Sequence, residues 1–274
     1  MVTGGAGYLG CIITEKLLAE GNEVVVIDSL QHGTFTMGHL CFHSNFHFMR
    51  GDVRDEQLLQ KALIGTDIVI PLAALVGAPL CDKDPWAAKS VNLGAIQNLM
   101  KFRSKNQWVL YPTTNSGYGT QSGELHCTEE TPLQPISLYG STKSDAEKCV
   151  LEAENTLTFR LATVFGMSPR MRLDLLVNNF CYKALTDKCI VLFEKHFKRN
   201  FVHIRDVADA FVYAIQNFDA MKGKPYNVGL DAANMSKEEL ALAIQKKIPD
   251  LVVMESELGQ DPDKRNYIVS NERL

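Results

Sequence analysis

Thr3-Gly4-Gly5-Ala6-Gly7-Tyr8-Leu9-Gly10 constrains this chain more than any other segment. Gly5-x-Gly7-x-x-Gly10 and the wider Gly4-x-x-Gly7-x-x-Gly10 overlap in it, after a short apolar start and ahead of a helical pattern. Without β-carbons the turn can close tightly and bring its backbone against a pyrophosphate, which then rests on the helix N-terminus. Glycine spacing alone is a weak signal. Asp28 strengthens it by closing the next β-branched run, Glu23-Val-Val-Val-Ile-Asp28, about 20 residues on. A carboxylate there accepts hydrogen bonds from the adenosine ribose and repels a 2′-phosphate, which points to NAD over NADP. Gly4, Gly7, Tyr8, Leu9 and Asp28 are the first cofactor-binding candidates.

The following residues alternate as such a turn requires. Glu23–Asp28, Phe46–Arg50, Asp67–Pro71, Trp108–Tyr111 and Leu157–Leu161 read as buried strands. Cys11–Glu20, Glu56–Leu63, Trp86–Phe102 and Ser137–Glu154 carry apolar residues at helical spacing. The pattern predicts an α/β fold, a doubly wound parallel sheet of the Rossmann type covered on both faces. After Gly166 the alternation fades. Residues 1–165 are expected to form the nucleotide-binding domain, with 200–225 returning to it, and 166–199 and 226–274 a smaller C-terminal substrate lobe. The first strand is only Met1-Val2-Thr3 and the chain stops where another helix would begin, which reads as trimming at both ends.

Charge and composition exclude several classes. With 28 Lys+Arg against 32 Asp+Glu and a pI near 6.0, the chain lacks the basic excess of a nucleic-acid binder. Its longest apolar stretch, Ile68 to Leu80, is interrupted by Pro71 and Pro79 and is too short to span a bilayer. Seven scattered cysteines without a CxxC pair fit reduced thiols, and no charged-then-apolar leader opens the sequence, so a cytoplasmic location is expected.

Two further segments carry chemistry. Gly51-Asp52-Val53 follows the third strand, at the sheet edge where an adenine would lie, and Asp52 could accept its amino group; a plain loop aspartate is the alternative. Tyr139-Gly-Ser-Thr-Lys143 sets a phenol and an ammonium on one helix face, where the positive charge favours phenolate and hence a general base. Taken alone that spacing is also common in surface pairs. Its weight comes from the glycine turn and from Tyr111-Pro-Thr-Thr-Asn-Ser-Gly-Tyr-Gly119, which brings Thr113, Thr114 and Ser116 to a strand end where doubly wound sheets bind ligands.

The glycine turn, Asp28, Asp52-Val53, Leu72-Ala73-Ala74, the Thr114 segment and Tyr139/Lys143 together resemble the extended short-chain dehydrogenase/reductase family, nucleotide-sugar branch. Arg160–Gly166, Asn178-Asn179, Arg199–Asp206, Tyr226–Gly229 and Asp263–Arg265 fit as well. The resemblance implies NAD as cofactor, with Leu72, Ala73 and Ala74 lining it, and a nucleotide-diphosphate sugar as substrate. It places Thr114 and Tyr139 beside the reacting hydroxyl and Lys143 on the nicotinamide ribose. It gives Asn179, Arg199 and Arg265 the diphosphate, a task suited to guanidinium forks. It also implies a homodimer paired through Trp86–Phe102 and Ser137–Glu154, with no nucleic acid or membrane partner.

Dehydratases of this family carry an Asp-Glu pair directly after the catalytic Thr, and its decarboxylases a Glu where Ser116 stands. Asn115 and Ser116 disfavour both reactions and leave hydride transfer at a sugar carbon, with or without its return. Pro71–Cys81, Thr114–Gly119, Phe159–Gly166, Ser168–Asn178 and Asp261–Arg265 are similar to a bacterial subgroup, the GDP-heptose C4 dehydrogenases of capsule synthesis. Thr163, where sugar epimerases often have Asn, speaks against ordinary UDP-hexose binding. Arg170 and Arg172 would reach a phosphate or sugar hydroxyls, with a solvated loop as the alternative. A non-catalytic NAD-binding scaffold is the reading from another class, which Tyr139 and Lys143 disfavour. His39, Cys41, His43 and His47 crowd one stretch without a fourth ligand of obvious geometry, so no metal is expected.

Overall fold

The computed structural model describes residues 1–33, 36–119, 126–256 and 266–274. Its centre is a sheet of seven parallel strands. These are β1 (Val2–Thr3), β2 (Val24–Asp28), β3 (Phe46–Arg50), β4 (Ile68–Pro71), β5 (Trp108–Thr114), β6 (Thr156–Leu161) and β7 (Pro225–Val228), in the order β7-β6-β5-β4-β1-β2-β3. Val2 pairs with Val26 on one side and Ile70 on the other, so the winding reverses between β1 and β4. Crevices at such reversals, outside the carboxyl ends of the strands, are where open α/β sheets bind ligands.

Both faces are covered. Helices Tyr8–Ala19 and Ile204–Gln216 bury Cys11, Ile13, Leu17, Val207 and Phe211 against one face, over Val26, Leu110 and Phe159. Helices Glu56–Leu63, Ala95–Phe102 and Leu138–Leu151 bury Leu59, Ile96, Leu99, Ala146 and Val150 against the other. A third apolar cluster, including Val177, Phe180, Ile190, Leu240 and Ile244, forms the core of the smaller lobe. There Lys198–His203 pairs with Thr163–Phe165 and Asn234–Ser236, and Cys189–Leu192 pairs with Val252–Glu255.

The lobe boundary moves. Residues 226–228, expected in the lobe, belong to β7, which pairs with β6 through Tyr226↔Phe159 and Val228↔Leu161. Tyr226 and Val228 are buried in the sheet's own core, which holds the strand there. Of the returning segment, Ile204–Gln216 packs on the sheet, whereas Phe201–His203 pairs with Thr163–Phe165, which stand apart from the central sheet although expected with it.

β5 runs past Tyr111 to Thr114 despite Pro112. Val109 donates its N–H towards β6, at Asn155, so strand alternation turns the missing N–H of Pro112 towards β4. Pairing with β4 has already ended at Val109, and nothing is lost.

The expected helix Trp86–Phe102 starts at Pro85 and is not uniform: Pro85–Lys89 and Ala95–Phe102 flank a π-helical turn, Ser90–Gly94. The wide turn brings Asn92 to 1% exposure, where its amide accepts from the Leu75 N–H at 2.8 Å and donates to the Leu75 carbonyl at 3.0 Å. The other long helix is Leu138–Leu151; Ser137 is its cap, accepting the Gly140 N–H, rather than its first residue. No helix among the described residues is long and apolar enough to cross a membrane.

Candidate active site

The glycines lie at the β1/β4 reversal, and Gly4 and Gly10 are sterically required there. Gly4 has φ +69°, and a β-carbon on it would stand 2.7 Å from the Ala73 nitrogen. At Gly10 a β-carbon would meet the Gly4 carbonyl at 2.3 Å. Gly7 precedes helix Tyr8–Ala19, and among the described residues no side chain caps that helix, which leaves its first-turn amides available to a ligand. Leu72 and Ala73 donate to the Thr3 carbonyl and hydroxyl, which fixes Leu72-Ala73-Ala74 against the turn. Asp28 ends β2 with its carboxylate accepting the Ala6 N–H at 3.0 Å and the Leu30 N–H at 2.8 Å. The ribose-binding candidate is thereby tied to the phosphate turn itself. A cradle without β-carbons, an uncapped helix start and a fixed carboxylate fit a dinucleotide. Asp28→Ala is expected to narrow the preference for NAD over NADP roughly tenfold or more, read as the ratio of the two dissociation constants; an unchanged ratio would remove Asp28 from the ribose site.

Asp52 and Val53 follow β3. Val53 packs on the core, while Asp52 is closed by Arg54 at 2.6 Å and held below the usual carboxylate range by that guanidinium. Leu9 packs against the core beneath the helix start. Tyr8 faces the lobe: its hydroxyl donates to the Gly166 carbonyl at 2.6 Å and accepts from Asn178 Nδ2 at 3.1 Å. Burial pushes its pKa up.

Thr114, at the end of β5, donates to Ser116 Oγ at 2.9 Å and accepts the Ser116 N–H at 3.1 Å. Asn115 and Ser116 are 1% and 2% exposed. The turn after Thr114 therefore brings two neutral side chains, both folded inward, and no carboxylate. Helix Leu138–Leu151 sets Tyr139, Lys143 and Glu147 on successive turns of one face. Tyr139 is half-buried at the helix start. Lys143 is buried, with Nζ 4.0 Å from the centre of the Tyr111 ring, and burial drives it down to about 7 while Glu147 pulls the other way. Glu147 meets Arg160 of β6 at 2.6 Å, and Arg160 also donates to the Tyr118 hydroxyl and the Glu129 carbonyl, each at 3.0 Å. This buried pair was missed in the sequence, where 13 residues separate its members.

The remaining substrate candidates scatter. Arg199 is buried in Lys198–His203, its guanidinium 5.9 Å from the Tyr267 ring centre. Asn179 donates to the Leu173 carbonyl at 3.1 Å, whereas its neighbour Asn178 links Gly166, Arg172 and Tyr8. Arg170 and Arg172 belong to a segment laid on the glycine-turn helix, where Ser168 donates to the Tyr8 carbonyl at 2.7 Å and the Arg170 N–H meets the Cys11 thiol. Arg172 pairs with Asp174, and burial with the Arg170 charge lowers the His32 pKa. Both arginines thus lie on the segment that runs beside the start of the glycine-turn helix. Arg265 lies outside the described residues. Among the described residues no three His, Cys, Asp or Glu side chains gather as a metal would need, and His47 pairs with Glu23.

The sequence matches the NAD dependent epimerase/dehydratase family over residues 1–229. The chain belongs to that family. It is an enzyme of this class, and NAD is its cofactor. Among curated relatives, the UDP-glucose 4-epimerase of Lactobacillus helveticus is 28% identical, over 96% of this chain and 86% of its own length. The CDP-paratose 2-epimerase of Salmonella typhi is 26% identical, over 84% and 78%. Among solved structures, UDP-glucuronic acid 4-epimerase from Bacillus cereus, in complex with UDP-glucuronic acid and NAD, superposes with a TM-score of 0.86 at 25% identity, covering 99% of this chain and 90% of that one.

Proposed function

We propose that this enzyme removes hydrogen from C4 of a nucleotide-activated sugar of the GDP-heptose type and stops at the keto sugar, in bacterial surface polysaccharide synthesis. The observation that carries this reading is the turn after Thr114, where the two residues that follow are neutral, inward-folded Asn115 and Ser116 rather than carboxylates. Tyr139 takes the C4 hydroxyl proton as general base, Thr114 hydrogen-bonds the same oxygen, and Lys143 holds the nicotinamide ribose. NAD, when bound, supplies the acceptor for the C4 hydride. Arg199 and Asn179 face the nucleotide diphosphate. Two copies pair through Pro85–Phe102 and Leu138–Leu151, where Trp86 is 71% exposed.

The epimerase names of several relatives favour a second reading, in which the hydride returns to the opposite face of C4. One experiment separates the two. Incubated with a GDP-heptose, the protein is expected to develop reduced-nicotinamide absorbance near stoichiometry with sites, and further turnovers should need an added keto acid or similar oxidant. A C4-inverted sugar formed catalytically without any acceptor would establish the epimerase instead.

A further inference from the structure

Beneath helix Leu138–Leu151 the sheet presents polar side chains where apolar ones would pack as well. Tyr111 and Thr158 are register partners on β5 and β6, and their buried hydroxyls find no hydrogen-bond partner among the described residues. A wholly buried, unpaired phenol hydroxyl is a net cost that phenylalanine would avoid. What Tyr111 does touch is Lys143, whose Nζ stands 4.0 Å from its ring centre. That is within cation–π reach, in a site where desolvation makes such contacts strong. Glu147 lies one turn along, but its carboxylate is taken by Arg160 at 2.6 Å. Tyr139 shares the helix face, the π turn contributes neutral Asn92, and the helix Ala78–Lys83 contributes buried Cys81 while its Asp82 and Lys83 are exposed, as is Lys89. The Tyr111 ring is thus a direct neighbour of the buried Lys143 amine.

We propose that Tyr111 is a positioning residue: its ring face holds the Lys143 side chain, when protonated, in place for the cofactor's ribose. The inference rests on the reading of Lys143 as the nicotinamide-ribose ligand, and the test keeps the two apart. NAD is titrated into protein freed of nucleotide, in wild type, Tyr111→Leu, Tyr111→Phe, Lys143→Met and the Tyr111→Leu/Lys143→Met double variant. Tyr111→Leu is expected to weaken NAD roughly tenfold. Tyr111→Phe should bind like wild type and unfold at an equal or higher temperature, since it keeps the ring and loses the unpaired hydroxyl. In the Lys143→Met background, Tyr111→Leu should cost nothing further. If Lys143→Met binds NAD normally, the reading of Lys143 falls and the inference with it. If Lys143→Met weakens NAD but Tyr111→Leu does not, or if Tyr111→Leu costs the same in both backgrounds, Tyr111 merely packs and the inference alone is overturned. Should Tyr111→Leu fail to fold, Tyr111→pentafluorophenylalanine keeps the shape while withdrawing the ring's negative face, and the same loss is expected of it.

Discussion

Tyr139→Phe is expected to slow hydride removal from a nucleotide sugar by about 10²–10⁴-fold while NAD still binds. The substitution deletes one hydroxyl and keeps the ring, at a half-buried position in the first turn of a helix whose start is fixed by Ser137. Lys143 remains one turn along, and the glycine cradle lies on other elements. Single-turnover absorbance at the reduced-nicotinamide band measures the rate, and an NAD titration measures what is left of the cofactor site. A variant that reduces nicotinamide at near the wild-type rate would take Tyr139 out of the chemistry.

The second large effect concerns stability. Arg160→Met is expected to destabilise the fold by about 3–5 kcal/mol, because it strands Glu147 in the interior. That residue is 2% exposed and its carboxylate draws hydrogen bonds from Arg160 at 2.6 and 3.0 Å. The Tyr118 hydroxyl and the Glu129 carbonyl lose a donor in the same step. The unfolding midpoint should fall by on the order of 10 °C. The paired change Glu147→Leu/Arg160→Met should restore most of the loss, since removing both charges removes the desolvation problem. A fall of only a degree or two in Arg160→Met would mean that water reaches Glu147. Activity should suffer along with stability. Tyr118 closes the turn after Thr114 and Glu147 belongs to the helix of Tyr139, so the pair ties both proposed catalytic segments to β6.

What could be read in the sequence was set by chain-local spacing. The glycine turn and Asp28 depend on intervals of a few residues and on one strand-to-strand step, and the structure places them together by the Ala6–Asp28 bond. Tyr139 and Lys143 share a helix face by the same local logic. Contacts between distant segments left no such trace. β7 reaches the sheet only after the chain has built much of the lobe, and its four residues carry no pattern that separates them from lobe strands. That the segment of Arg170 and Arg172 lies beside Tyr8 has no local signal either, since the Tyr8 hydroxyl reaches Gly166 across 158 residues. Nothing local marks Glu147 within its helical stretch; only the pairing of β5 with β6 brings Arg160 under it.

The π-helical turn at Ser90–Gly94 sets a rule for insertions and deletions. Such a turn closes its hydrogen bonds one residue later than an α-turn does, so it takes up one extra residue while the helix on either side keeps its facing. Removing one residue between 90 and 94 would let an ordinary α-helix form with Pro85–Lys89 and Ala95–Phe102 still in register, and Ala88, Ile96 and Leu99 would keep their buried positions. What would go is the wide turn itself: Asn92 would no longer reach Leu75, and the loop that follows Leu72-Ala73-Ala74 would lose its clasp. A deletion on either side of the π turn would instead swing one part of the helix against the other by about 100°. In this stretch a residue can be lost without unseating the core, and the cost falls on the loop.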